Sequence, residues 1–124
     1  MQRIEYAIKR IIIVAAALLS MVRVEAQINT EQMLNIGRNA LYFEDYVLSI
    51  QYFNQVIKAK PYLAMPYFYR AVAKINLDDY SGAEADCDKA LEINPFIVDA
   101  YQVRGIARQT LKKNREAIAD YDMG

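Results

Sequence analysis

The sequence predicts an all-α fold, a solenoid of stacked helix–turn–helix hairpins behind a short N-terminal leader. Three observations carry this. First, the same residue types return every 34 positions: Asp45 and Asp79, Tyr46 and Tyr80, Pro61 and Pro95, Tyr67 and Tyr101, Arg70 and Arg104, Leu77 and Leu111, Ala83 and Ala117. A fixed period of this length marks a repeat architecture in which each unit is one supersecondary motif. Second, each period holds two apolar stripes at helical spacing, split by a short polar turn and closed by a proline. Third, residues 11–19 (IIIVAAALL) form an uninterrupted apolar run behind Arg3, Lys9 and Arg10, unlike anything that follows.

Residues 1–26 show the three zones of a secretory signal peptide: a basic start, the apolar run, and Val24-Glu25-Ala26 with small or modest residues before Gln27. The run ends by Val22 at the latest, short of the roughly 20 residues that span a bilayer. The expectation is cleavage after Ala26 and export of residues 27–124 to a periplasmic or secreted location. A retained membrane anchor and an amphipathic first helix of the solenoid are the alternatives.

Behind the leader lie repeat 1 (30–63), repeat 2 (64–97) and an incomplete repeat 3 (98–124). Asn29 is expected to cap the first helix, with Gln32 reaching back in a capping box. Met33, Leu34, Ile36, Ala40, Leu41 and Phe43 supply that helix with apolar residues, and Glu44-Asp45 makes the turn. Val47, Ile50, Phe53, Val56 and Ile57 form the expected buried stripe of the second helix, which Pro61 stops; Pro66 sits in the first turn of the next. Small residues at repeat position 8 (Gly37, Ala71, Gly105) and position 20 (Ser49, Ala83, Ala117) let the paired helices approach. Larger ones at position 4 (Met33, Tyr67, Tyr101) and position 24 (Phe53, Cys87, Tyr121) fill the space between them. Repeats 2 and 3 share eight identities in 27 aligned positions and repeats 1 and 2 only three in 34, so repeat 1 reads as a divergent terminal unit. Repeat 3 stops inside its second helix, and a longer array is expected.

This layout resembles the tetratricopeptide repeat family, whose pattern asks for bulky residues at positions 4 and 24, small ones at 8, Ala at 20 and 27, and Pro at 32. Position 27 here is Val56, Ala90 and Gly124, and position 32 is Pro61 and Pro95. The departures are Arg70 and Arg104 at the usually apolar position 7, Val56 for Ala, and the small Cys87 where a ring is usual. The resemblance covers residues 30–124. It implies a right-handed α-solenoid whose first helices line a concave groove for an extended peptide or a partner helix.

Composition narrows the function. Basic and acidic residues balance at 15 each, so no charge asymmetry points to nucleic acid, and without the leader the balance is 11 to 13. There is no His and one Cys, which removes the usual general base, pH switch and internal disulfide. Asp78, Asp79, Asp86 and Asp88 lack the ligand alternation of a calcium loop and read as a solvated turn with helix-start charges. The ten Tyr read as core filler. No cofactor, metal or catalytic residue is expected, and the reading is a non-enzymatic interaction scaffold. Its alternatives are the interaction module of a larger exported enzyme or envelope complex, and a membrane-tethered sensor.

The resemblance places Leu34, Arg38, Leu41, Phe68, Val72, Ile75, Gln102, Ile106 and Gln109 on the groove. Chaperone-binding members hold a terminal carboxylate at five positions, occupied here by Leu34, Arg38, Tyr69, Asp99 and Val103, of which only Arg38 suits the task. The expected partner is therefore a protein or peptide that is apolar or aromatic, not one presenting a terminal carboxylate. It would bind an exposed strip through Leu34, Phe68, Val72 and Ile106, with self-association as the alternative use of that strip.

Overall fold

The computed structural model describes residues 2–124, with the backbone alone over residues 22–28. Among the described residues six α-helices follow one another: α1 (Gln2–Tyr42), α2 (Tyr46–Ala59), α3 (Ala64–Asn76), α4 (Tyr80–Ile93), α5 (Val98–Thr110) and α6 (Asn114–Met123). They divide into two units, Met1–Gln32 and Met33–Gly124.

The first unit is the leading part of α1. Its side chains from Gln2 to Met21 are exposed throughout, Ile11, Ile12 and Ile13 by 60–67%. Among the described residues no helix is long and apolar enough to cross a membrane. The side chains of the expected cleavage site, Val24-Glu25-Ala26, lie outside the described residues. The expected cap at Asn29 is corrected: α1 runs through it as one helix of 41 residues. No Gly or Pro precedes Gly37, so nothing in the local sequence breaks the helix there.

The second unit is a solenoid of three hairpins: residues 33–42 with α2, joined at the turn and meeting where Gly37 faces Phe53, then α3 with α4 and α5 with α6; α2 packs on α3 and α4 on α5. The hairpin turns are built alike. Glu44, Asp78 and Lys112, spaced by the repeat period, all adopt positive φ (62–64°). The amide of the next residue then reaches back to the helix, Asp45 to the Ala40 carbonyl at 2.8 Å, Asp79 to Lys74 at 2.9 Å and Lys113 to Arg108 at 2.7 Å. This left-handed closure satisfies carbonyls that a helix end otherwise leaves open. Asp45 and Asp79 also cap the following helix, accepting from Leu48 and Gly82 amides, whereas Lys113 makes no such bond. Between repeats, the Tyr67 hydroxyl donates to the Pro61 carbonyl at 2.9 Å and Tyr101 to Pro95 at 2.8 Å. The reading of the tyrosines as core filler is thereby corrected. Of the ten, Tyr67 is buried, Tyr6, Tyr42 and Tyr62 are more than 60% exposed, and several use their hydroxyls as ties.

Packing explains Cys87. Where position 24 carries a ring, position 8 of the same hairpin is glycine: a Cβ on Gly37 would meet the Phe53 ring at 2.7 Å, and one on Gly105 the Tyr121 ring at 2.6 Å. Where position 24 is the small Cys87, position 8 is Ala71, and both are fully buried in one cluster with Ala83 and Ala107. Volume is thus conserved across each pair. Of the stripe expected on α2, Phe53 and Val56 are fully buried and Ile50 and Ile57 half-buried, but Val47, in the first turn of the helix, is 58% exposed.

Gly37→Ala gains roughly 1 kcal/mol of helix propensity, but overpacking against the fully buried Phe53 costs about 1–3 kcal/mol. Urea unfolding is expected to show a net loss of stability in this variant.

Candidate functional site

The face of α1 nearest α3 carries a polar concavity. Asn35, Arg38, Asn39 and Tyr42 stand one helical turn apart on one face and line a cavity of about 540 Å³. Arg38 is exposed, and its guanidinium lies 5.4 Å from the centre of the Tyr69 ring of α3. It faces no carboxylate among the described residues. A cation held over a ring, flanked by two amide side chains, suits an anionic or carbonyl-rich ligand.

The remaining residues placed on the groove from sequence divide by burial. Leu34, Leu41, Val72 and Ile75 are half-buried; Gln102, Ile106 and Gln109 are exposed, and Gln109 accepts a hydrogen bond from the Tyr121 hydroxyl at 2.8 Å. Phe68 is corrected: only 9% exposed, it packs with Tyr67, Ala90, Leu91 and Ala100 inside the core. Its ring is part of the seam between repeats and is not offered as an open anchor.

The arginines that broke the apolar pattern have a structural role. Arg70 of α3 clasps Asp86 of α4 through two nitrogens, at 2.8 and 2.6 Å, while Lys74 reaches the same carboxylate at 3.0 Å. One period on, Arg104 and Arg108 of α5 hold Asp120 of α6 at 2.7 and 2.8 Å. The two carboxylates are 4% and 2% exposed, so Asp86 is corrected from a solvated helix-start charge to a buried ion-pair member. Each arginine also touches the second helix of the preceding repeat, Arg70 at Asn54 and Arg104 at Asp88. The sequence held the signal, since Asp86 and Asp120 recur with the same period as their arginines. In repeat 1 the corresponding residues are Ile36 and Tyr52, and the lock is absent there.

Glu84 receives Arg108 at 2.9 Å and Lys113 at 2.7 Å. Burial alone would raise its carboxyl, but hydrogen bonds from Lys113 and Arg108 and their charges outweigh it and hold the group below its ordinary value. Burial pushes the Cys87 thiol up to about 12, so it is an unreactive packing group.

Comparison with known proteins agrees with this architecture. The tetratricopeptide repeat pattern matches residues 64–96. Sperm-associated antigen 1 of Mus musculus is 37% identical over 84 residues, covering 68% of this chain and 9% of that protein. The protein SGT1 homolog of Oryza sativa subsp. japonica is 36% identical over 88 residues, 71% of this chain and 24% of that protein. The chain thus spans a quarter or less of the length of these curated relatives. Among solved structures, the first TPR of Spaghetti (RPAP3) bound to the HSP90 peptide SRMEEVD superposes with a TM-score of 0.73 at 30% identity, covering 76% of this chain and 75% of that one.

Two expectations are corrected by these comparisons. That neighbour holds a peptide ending in EEVD, a terminal-carboxylate motif, which overturns the expected preference for an apolar or aromatic ligand over a terminal carboxylate. Besides Arg38, the same helix face carries the polar side chains of Asn35 and Asn39. The relatives are cytosolic proteins and not exported ones, which overturns the periplasmic or secreted placement. An apolar run behind basic residues is a compositional signal, and it does not by itself fix a destination.

Removing one partner of a buried ion pair leaves the other charged and unpaired, at a cost of about 3–5 kcal/mol. Asp86→Ala is expected to lose stability on that scale in urea unfolding, because Arg70 and Lys74 then face each other without a counter-ion. For Glu84 the folded carboxyl titrates below its ordinary value. Its stabilising contribution is therefore present above that ordinary value and disappears as pH falls through the folded one. Glu84→Gln should melt lower than the native chain at neutral pH, with the gap closing as the buffer is made acidic.

Proposed function

This chain belongs to the tetratricopeptide repeat family, and from that premise we propose that it is a protein-interaction scaffold that takes an extended peptide across the first helices of its repeats. The peptide class that suits it is an acidic C-terminal tail of the kind seen in the neighbour bound to the HSP90 peptide SRMEEVD. The observation that carries this reading is the concavity of about 540 Å³ at Asn35, Arg38, Asn39 and Tyr42. Arg38 supplies a cation for a carboxylate, and the two asparagines supply donors to a peptide main chain. Gln102 and Ile106, exposed on α5, extend the surface along which such a peptide would lie.

The remaining side chains fit a scaffold. The arginines of α3 and α5 are engaged in holding carboxylates, and the one thiol is buried. Leu34, Leu41 and Val72, half-buried on the first helices, would add apolar contacts to the exposed guanidinium of Arg38. Specificity then rests on one ionic contact and on the shape of the apolar part of the ligand.

Fluorescence anisotropy with labelled SRMEEVD tests the proposal. Saturable binding is expected, weakened by Arg38→Ala by about 1–3 kcal/mol, and weakened similarly when the peptide carboxylate is amidated. Arg38 is exposed, so the variant keeps the fold and its circular dichroism. Absence of binding by the native chain, or full binding by Arg38→Ala, rejects the proposal.

A further inference from the structure

The leading part of α1 keeps its charges to one side. At 3.6 residues per turn, Ile4, Ile8, Ile11, Ala15 and Leu18 form one stripe, bordered by Val14 and Leu19, that covers an arc of about 140°. Arg3, Glu5, Lys9, Arg10 and Ser20 all fall outside that arc. Every one of these side chains is exposed, Ile4 by 66% and Ile11 by 67%. Ile13 is exposed by 67% as well, but it falls on the charged side, between Lys9 and Arg10. The three cations outnumber Glu5 and meet no carboxylate among the described residues. The Arg10 guanidinium lies 5.4 Å from the centre of the Tyr6 ring instead. The charge-free stretch from Ile11 to Val22 has 12 residues, which as helix measures about 18 Å against roughly 30 Å of hydrocarbon in a bilayer.

We propose that residues 2–21 lie flat on an anionic lipid surface, with the stripe from Ile4 to Leu18 against the acyl chains and Arg3, Lys9 and Arg10 among the phosphates. A helix with one apolar arc and a basic remainder sinks the arc about 5–10 Å and leaves its cations at the headgroups. Arginine and lysine stems run along apolar surface while their charges stay in water. Tyr6, beside Arg10, has the apolar body and polar tip of an interfacial residue. Charge selects the occupant. An apolar protein groove would need the arc alone, whereas three uncompensated cations beside it match the negative potential of a lipid surface, which attracts each of them. The arc also selects the orientation. A helix that spans a bilayer buries all its sides, but here Ile13 is held out of the hydrocarbon by the charges on either side of it. This segment belongs to a unit separate from the solenoid, and the proposal does not depend on the ligand assigned to the groove.

Flotation of the 124-residue chain with lipid vesicles tests this. The probe is phosphatidylcholine alone or with about a quarter phosphatidylserine. Expected is binding to the anionic vesicles that weakens as salt is raised, and that falls roughly fivefold for each of Arg3→Gln, Lys9→Gln and Arg10→Gln. Ile11→Ser combined with Leu18→Ser should weaken it by roughly a hundredfold, whereas Ile13→Ser, on the other side, should leave it within about twofold. All these side chains are exposed, so the variants take no packing from the solenoid. Absence of binding, or equal binding to neutral and anionic vesicles, overturns the proposal. A loss with Ile13→Ser as large as with Ile11→Ser or Leu18→Ser also overturns it, because the helix would then be buried on all sides. Sedimentation of the chain without lipid tests the remaining occupant: an oligomer dispersed by the Ile11→Ser, Leu18→Ser pair, in a chain that ignores vesicles, would put a second copy on the arc and overturn the lipid surface.

Discussion

A carboxylate taken out of water between two helices has to be met by cations, and this requirement locks the two helices of repeat 2, and those of repeat 3, to each other. Asp86 and Asp120 are almost wholly buried, and each is met by two basic side chains from the facing helix. The attraction is strong where water is scarce, but so is the cost of desolvation, and a well-packed apolar substitute is often as stable. What the pair adds is register. A planar guanidinium that must reach one carboxylate in its own hairpin and a second acceptor in the preceding one fixes the azimuth of its helix. The hairpins then stack in one way only, and the small residues at positions 8 and 20 determine how closely they do so.

The hairpin interiors obey a second constraint, conservation of volume. Ring against glycine in repeats 1 and 3, and cysteine against alanine in repeat 2, are two solutions to one packing problem. Interiors at crystal-like density tolerate little change in volume at one site without an opposite change at its neighbour. The turns repeat with similar fidelity, since three non-glycine residues accept left-handed geometry at the same register. The backbone cost of that geometry is offset by the carbonyls it satisfies. Repeat 1 keeps the turn and the ring but lacks the ionic lock, in keeping with its place at the end of the solenoid unit.

Function follows from what this rigid stack leaves open. With Arg70, Arg104 and Arg108 engaged internally, Arg38 is an exposed guanidinium held in place by a ring, with no acid to neutralise it among the described residues. A preorganised cation on a rigid scaffold loses little freedom on binding, so a short peptide can be held by few contacts. The exposed apolar residues of α1 between Ile4 and Met21 belong to a separate unit.

By itself the sequence determined the period, the helix–turn–helix unit, the positions of the turns and the family, because these depend on local spacing and on residues that repeat. Ala64 and Val98 begin α3 and α5 at the first position of repeats 2 and 3, as the spacing requires. Tertiary structure decided which side chains meet. Arg70 and Arg104 looked like faults in an apolar stripe, and Asp86 like a solvated charge, because neither residue shows its partner 16 positions away until two helices are folded together. Phe68 looked like an open anchor for a similar reason: a helix face predicts which residues point together, but only the neighbouring repeat decides whether that face is covered. Asn29 had the chemistry of a cap, yet a cap forms only where the chain stops being helical, and α1 does not stop there.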